Sequence, residues 1–585
     1  DGNDLSWTPS LSGPRLSRRG PGAVVWESDN CNGDFLMRLE ARMEFDGFVD
    51  YRVAVTARRD VAVSDIRLEV PWNEASATYM MGLGFKGGLR PESFDWVWDQ
   101  KKNQDALWIG TVNAGMQVSL RAENYSRPLN TNFYLSKPLN MPPSWWNDGL
   151  GEVLVRKAGG IVTVAAATGP TAVLAGKPSH FDFTLLITPF KPLDPAAHFR
   201  ERYYHAFKPL DEVAETGANL INVHHANAIN PYINYPFLRA PEMKAYIDDA
   251  RRRGFKVKIY NTVRELSNRA PELFALRSLG HEIFSPGPGG GYSWLQEHLA
   301  DDYIAAWFVP ELKDAAVINS GMSRWHNYYI EGLDWVARNV GIDGLYLDDV
   351  AFDRTTMKRV RKVLDRNRPE VRIDLHSANQ YNVRDGFASS ANLYLEHFPY
   401  LDRLWFGEYF DYNGSGADYW LVELSGIPFG LMGEMLQDGG NPWRGMAFGM
   451  TARLPWAGDP RPLWKVWDEF GIAESEMIGW WVDANPVRTG SKDVLATSYV
   501  RRRSGGKGKG APGGDAVMIA LASWSKEPVD VRLTIDWKKL GLDPKKALLR
   551  APAIDKFQDA AEYKPGDPIR VQPGKGLLLI LGTQY

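Results

Sequence analysis

Cysteine is nearly missing from this chain of 585 residues, where Cys31 stands alone. One thiol excludes an intrachain disulfide and any zinc site built from several thiolates. Its setting, Asp29-Asn30-Cys31-Asn32-Gly33, reads as a turn with no histidine beside it, which argues against a catalytic thiolate. An excess of charge of one sign is missing too. The 68 basic and 71 acidic residues leave a net charge of −3, so the electrostatic footprint that nucleic acid or an anionic membrane requires is absent. Long apolar runs are also lacking. Nothing approaches the roughly 20 consecutive apolar residues of a membrane span, and the most apolar stretch, Phe183 to Phe190, is broken by Thr184 and Thr188 and reads as one strand.

What is abundant is aromatic: 22 Trp and 24 Tyr. Flat rings pack against the C–H faces of sugars and leave the hydroxyls free for polar groups, although most such residues serve cores and interfaces. The length exceeds what one hydrophobic core supports, and the patterning divides it into three domains. From Gly33 to Ile187 the chain reads as strand after strand, with Leu39, Ala41, Met43 and Phe45 alternating with Arg38, Glu40, Arg42 and Glu44. That period of two predicts an antiparallel β-sandwich over residues 1–192. After Pro192 short apolar strands alternate with helical segments such as Ser323 to Val340 and Thr355 to Asn367, the signature of a parallel sheet. Strands are expected near 219–224, 256–261, 315–319, 345–348, 371–376, 392–396, 403–408 and 429–434. Eight of them predict a central (β/α)8 TIM-like barrel over residues 193–486. Strands return over residues 487–585 as a smaller sandwich. Within it, the basic Gly-rich stretch from Arg501 to Gly510 reads as a hairpin loop ahead of a polyanion site.

In a parallel barrel, alternate side chains point inward, and reactive groups come from the carboxyl ends of strands. Leu345 and Leu347 suit the helix layer, which sends Tyr346 and Asp348 inward. By the same rule Leu393 and Leu395 face out while Tyr394 and Glu396 face in. Asp374 and His376, Asn222 and His224, and Lys258 and Tyr260 follow as inward pairs. A purely structural barrel would fill these positions with Val, Ile and Leu. Glycosidic hydrolysis needs two carboxyl groups across a cleft, one to protonate the leaving oxygen and one to attack or to activate water. Asp348 and Glu396 are the favoured pair, Glu408 is a rival for the second role, and Asp349 stands beside Asp348 to orient a substrate group. His224, Tyr260, Tyr346, Asp374, His376, Tyr394, Trp405, Glu434 and Trp443 are candidate substrate contacts.

The runs Gly341 to Asp353, Leu375 to Asn379 and Glu396 to Glu408, with Ser425 to Glu434 and Gly440 to Arg444, resemble a family of bacterial barrel glycosidases related to glycoside hydrolase family 123 and more distantly to the α-galactosidase clan. The resemblance spans most of the chain. It implies an exo-acting hydrolase of terminal galactose or N-acetylgalactosamine, with Asp348 as nucleophile and Glu396 as acid/base. Tyr346 stands where the clan has Lys, and its usual Arg and Asp of the sixth strand are missing. Family 123 itself implies substrate-assisted attack using an adjacent Asp-Glu pair, to which the nearest match here is Asp348-Asp349, with Asp in place of Glu.

Two other classes stay open, a non-catalytic carbohydrate-binding scaffold and an isomerase or lyase. No cofactor and no metal site is expected. His224 and His225, being adjacent, should point to opposite faces of a strand, and calcium on loop carboxylates such as Asp353 or Asp438 is left open. Gly287 to Gly291 lacks the context of a phosphate loop and reads as a loop beside the site. The start at Asp1 rather than Met predicts that a preceding segment was removed, either a signal peptide or a stretch cut away by engineering; a secreted or periplasmic protein is expected, with carbohydrate as partner.

Overall fold

The computed structural model describes residues 4–9, 13–99, 104–125, 141–262, 264–319, 323–350, 352–378, 390–436, 439–502 and 515–582. The chain forms two compact units, one of Asp1–Pro192 with Gln380–Pro399 and Pro428–Gly430, the other of Leu193–Asn379, Tyr400–Ile427 and Leu431–Tyr585. Among the described residues no helix is long and apolar enough to cross a membrane.

The first unit is the expected sandwich. An 11-stranded sheet faces a four-stranded one, and Val53, Leu107, Ile109 and Val118 of the first meet Trp96, Val153, Val155 and Val164 of the second in one core. Alternation along Phe35–Glu44 holds through buried Ala41 and then inverts. Met43 and Phe45 are exposed while Glu44 is buried and bonded to Arg42, because the strand gives way to a turn there. Cys31 lies on the strand Ala23–Asn32, paired with Leu36 and exposed, rather than in a turn.

The segment 390–399 is helical. Where a strand was expected at 392–396, Ser390–Tyr394 is α-helical and Leu395–Tyr400 a 3-10 turn. Asn392 is tied into the sandwich, accepting from the Gln117 amide at 2.8 Å and donating to the Ala106 carbonyl at 3.1 Å. Leu393, Tyr394, Leu395 and Glu396 are all buried. A short run apolar on every side carries no period that separates strand from helix.

In the second unit seven strands run parallel in the order Tyr203–Tyr204, Leu220–Val223, Lys256–Asn261, Gly344–Asp348, Arg372–Ala378, Arg403–Glu408 and Met432–Gly433. An extended segment bonds both edges of this sheet. The Met435 N–H donates to Thr451 O at 2.8 Å, the Leu454 N–H to Tyr203 O at 3.0 Å and the His205 N–H to Leu454 O at 2.5 Å. The strand expected at 315–319 is not part of it. Asp314–Ile318 pairs antiparallel with Glu265–Ser267 and Tyr303–Val309 in a sheet inserted between the third and fourth parallel strands. Its run of buried apolar residues reads as a parallel strand, and only its partners decide otherwise. The two residues of Tyr203–Tyr204 are too short a strand to be seen by periodicity.

Register brings the inward set together. Asn222 stands opposite Lys258, Tyr260 opposite Tyr346, Tyr346 opposite Asp374, and Asp348 opposite His376. Lys258 and Asp374, both fully buried, form an ion pair, and the Trp405 indole N–H donates to Asp374 at 3.0 Å. Burial lowers the Lys258 pKa, while Asp374 opposes the shift. Lys258→Met should therefore destabilise the fold by about 3–5 kcal/mol, since it strands a buried carboxylate. Urea unfolding measures the loss, and adding Asp374→Asn should recover most of it.

The C-terminal part of this unit is built on a six-stranded antiparallel sheet that includes Val494–Arg501, Ala516–Ser523, Leu548–Ala551 and Gly576–Gly582. Val517, Ile519, Leu521, Leu579 and Leu581 form its core. Most of the basic Gly-rich stretch lies outside the described residues.

Candidate active site

Four side chains meet where the parallel strands end. The Asp348 Oδ2 accepts from the Tyr260 hydroxyl at 2.5 Å, and Oδ1 lies 3.3 Å from His376 Nε2. The Glu408 Oε2 lies 3.0 Å from that same nitrogen. Strict alternation from inward Trp405 would turn Glu408 outward. The register slips instead, pairing His376 with Trp405 but Ala378 with Glu408, and such a bulge re-aims the last side chain.

His376 Nδ1 faces the Trp405 carbonyl oxygen at 3.1 Å. A carbonyl only accepts, so Nδ1 carries a hydrogen. Nε2 then faces two carboxyl oxygens, which requires a proton on Nε2 or on a carboxyl. Burial opposes a charged imidazole here, yet Asp348 and Glu408 together raise its pKa above the ordinary value. The three groups share that proton. Burial, and then Asp348, push the Tyr260 phenol well above its usual range, so it remains a donor.

His224 and His225 do not split across a strand. The strand stops at Val223, Ala226 turns with φ +64, and the two rings lie 4.5 Å apart. His224 packs on Tyr260 at 3.9 Å. Burial lowers the pKa of His224 to about 3, helped by His225, and that of His225 to about 4, against the pull of Asp348, so both are neutral. Positive φ recurs at Asp349 (+57) and Tyr409 (+59), each directly after a strand-end carboxylate. Non-glycine residues in this region carry strain, which concentrates at functional sites. Asp349 accepts from Arg264 Nη1 at 2.7 Å, and Arg264 is anchored by buried Glu265 at 3.0 Å.

Behind this layer, Tyr346 stacks near His376 at 5.8 Å with Arg453 over its ring at 5.0 Å. Arg453 Nη1 lies 3.1 Å from His205 Nδ1. At the rim Trp456, 62% exposed, lies nearly parallel to His224 at 6.0 Å and edge-on to His205 at 5.9 Å.

The structure thus brings together Asp348, Asp349, Glu408, His224, Tyr260, Tyr346 and His376 of the residues singled out by sequence, with Asp374 and Trp405 buried beneath them. Glu396 and Tyr394 belong to the other compact unit, on a helical segment that has no strand alternation to turn them inward. The Glu396 carboxylate accepts from Arg121, and Tyr394 lies edge-on to His397. Glu434 is buried against Arg403 at 2.5 Å and accepts from the Thr451 N–H at 2.7 Å; burial pushes its pKa up to about 7, with Arg403 opposing. Trp443 stacks on Phe557 at 5.1 Å, away from the strand ends. Arg264, His205, Arg453 and Trp456 were missed. They come from loops and single bridges, which leave no periodic signal.

Among the described residues no group of three or more His, Cys, Asp or Glu is placed to hold a metal ion. Asp353 caps the helix Arg354–Asn367 by accepting from the Thr356 N–H at 2.8 Å. Asp438 lies outside the described residues.

Three family models match the chain: the TIM-barrel domain of glycoside hydrolase 123 over residues 194–455, its third domain over 2–189 and its C-terminal domain over 459–582. No curated protein matches it. Among solved structures, an α-galactosidase from Lactobacillus brevis is 9% identical with a TM-score of 0.46, covering 100% of this chain and 86% of that one. An α-galactosidase from Thermus thermophilus in complex with p-nitrophenyl α-D-galactopyranoside is 13% identical (TM-score 0.35; 79% and 95% covered). An α-amylase from Geobacillus thermoleovorans, complexed with acarbose, is 11% identical (TM-score 0.41; 68% and 100% covered).

Proposed function

We propose that this chain, which belongs to glycoside hydrolase family 123, is an exo-acting hydrolase of terminal galactose or N-acetylgalactosamine type sugars, with Asp348 and Glu408 as its catalytic carboxyls. The observation that carries the assignment is the single His376 nitrogen in contact with both. Contacts of 3.3 and 3.0 Å to one atom limit the separation of these two oxygens to less than the ~6.5–9.5 Å of inverting enzymes and favour the ~5–5.5 Å class that retains configuration. In that mechanism Asp348 attacks the anomeric carbon while Glu408 gives its proton to the leaving oxygen, and the glycosidic C–O bond breaks. Glu408 then takes a proton from water, whose oxygen displaces Asp348.

Tyr260 and His376 hold the attacking carboxylate in place, and the shared proton of the cluster is available to the departing alcohol. The wall formed by Trp456, His224 and His205 supports a pocket that receives a chain end. The sugar type rests on the resemblance of the Asp348-Asp349 pair to that of family 123.

A second reading is favoured by Asp349, whose strained backbone and Arg264 anchor hold its carboxylate in a defined place. Under substrate assistance Asp348 and Asp349 would orient and polarise a 2-acetamido group that itself attacks. Asp349→Asn is expected to lower kcat/KM by about tenfold when the two-carboxylate mechanism operates. A loss equal to that of Asp348→Asn, confined to 2-acetamido sugars, would establish substrate assistance instead. Kinetics on matched galactosides and N-acetylgalactosaminides read the difference.

A further inference from the structure

The inserted antiparallel sheet carries a feature that the pocket does not use. On Tyr303–Val309, Trp307 and Phe308 are neighbours in sequence, yet they are 45% and 42% exposed. Along a regular strand, adjacent side chains go to opposite faces, and one of two such aromatics would be covered. Here the register slips: Ala305 pairs with Val317 but Phe308 with Ala315. The bulge leaves both rings in solvent.

This exposure is organised. The Phe308 ring stacks on Tyr292 at 4.5 Å with 19° between planes. The Trp307 ring meets His225 edge-on at 5.9 Å, and His225 is the neighbour of His224 in the pocket wall. Within the bulge, Ala306 packs against a buried cluster that includes Tyr260, Tyr346 and Trp405. The hairpin therefore meets the site wall at Trp307, and the Phe308–Tyr292 stack follows directly after it. The turn Gly287 to Gly291 belongs to the same edge, with Gly289 paired to Ile304 and Gly290 O accepting from the Tyr303 hydroxyl at 2.7 Å.

An open row of aromatic faces continuous with a sugar site is suited to pyranose rings, whose C–H faces stack on it while the hydroxyls stay hydrated. We infer that Trp307 and the Phe308–Tyr292 stack form a binding shelf for the leaving-group sugars, so that the substrate is a carbohydrate chain and not the glycoside of a small alcohol. This rests on the proposed function, and the test separates the two. Binding is measured on the Asp348→Asn protein, with tri- to pentasaccharides ending in galactose or N-acetylgalactosamine and with the matching monosaccharides as probes. Adding Trp307→Ala should weaken oligosaccharide binding by roughly three- to tenfold, the effect of one stacked ring, and leave monosaccharide binding unchanged. Phe308→Ala should act in the same direction, and both variants should fold because the rings are exposed. Turnover gives a second reading. With a glycosyl fluoride, whose leaving group has no ring, Trp307→Ala should keep full kcat/KM, while oligosaccharide kcat/KM falls. Unchanged oligosaccharide binding, or an equal loss for monosaccharide and oligosaccharide, overturns the shelf. Full turnover by Asp348→Asn overturns the catalytic assignment, and the binding comparison still decides the shelf.

Discussion

Asp348→Asn is expected to lower kcat/KM on the order of 10⁴-fold or more with the fold intact. Volume is conserved, and the surroundings can absorb the change because the amide still offers an oxygen to the Tyr260 hydroxyl. What is lost is the charge that must attack or stabilise the positive anomeric centre. The substitution also has a signature away from turnover. Asp348 is one of the two groups that raise the His376 pKa against burial, so the imidazole should titrate at a lower pH in the variant. NMR titration of His376, with circular dichroism and thermal unfolding to confirm the fold, checks both points. Wild-type activity in this variant would remove the whole site assignment.

The second large effect concerns the proton donor. Glu408→Gln should reduce hydrolysis of glycosides with poor leaving groups by about 10³-fold and that of activated aryl glycosides by less than about tenfold, because only the former need a proton delivered. Its pH–rate profile should lose the limb that falls at high pH, where the wild type gives up the shared proton. Glu396→Gln should behave differently. Its carboxylate accepts from Arg121 and is largely buried, so the change should cost stability, about 1.5–3 kcal/mol for a charge-assisted hydrogen bond, with the same small rate change for every leaving group. Rates across a series of aryl leaving groups, set beside denaturation of both variants, decide between them. Leaving-group dependence in Glu396→Gln and none in Glu408→Gln would return the donor role to Glu396.

These two carboxyls mark where sequence reasoning ran out. Tyr394-Leu395-Glu396 repeats the pattern of Tyr346-Leu347-Asp348, and nothing local tells them apart. One segment is a strand between two parallel neighbours. The other is a helix tied to the sandwich through Asn392. The partners that hold the helix, Gln117 and Ala106, lie 275 and 286 residues away in sequence, and their pairing energies are not written in the segment itself.

The sequence by itself determined the inward set of Asn222, Lys258, Tyr260, Tyr346, Asp348, Asp374 and His376. Alternation along a strand is a local, covalent property, and any strand with Leu, Ile or Val on one parity must present its polar residues on the other. It likewise determined the sandwich before the barrel and the antiparallel sheet after it, since a period of two needs no knowledge of partners. Tertiary structure decided the rest. A register slip against Arg372–Ala378 turned Glu408 toward His376, a second slip exposed Trp307 beside Phe308, and a turn at Ala226 laid His224 and His225 side by side. Each reverses what alternation alone predicts. A bulge is set by the hydrogen-bonding partner across the sheet, and that partner exists only once the chain has folded.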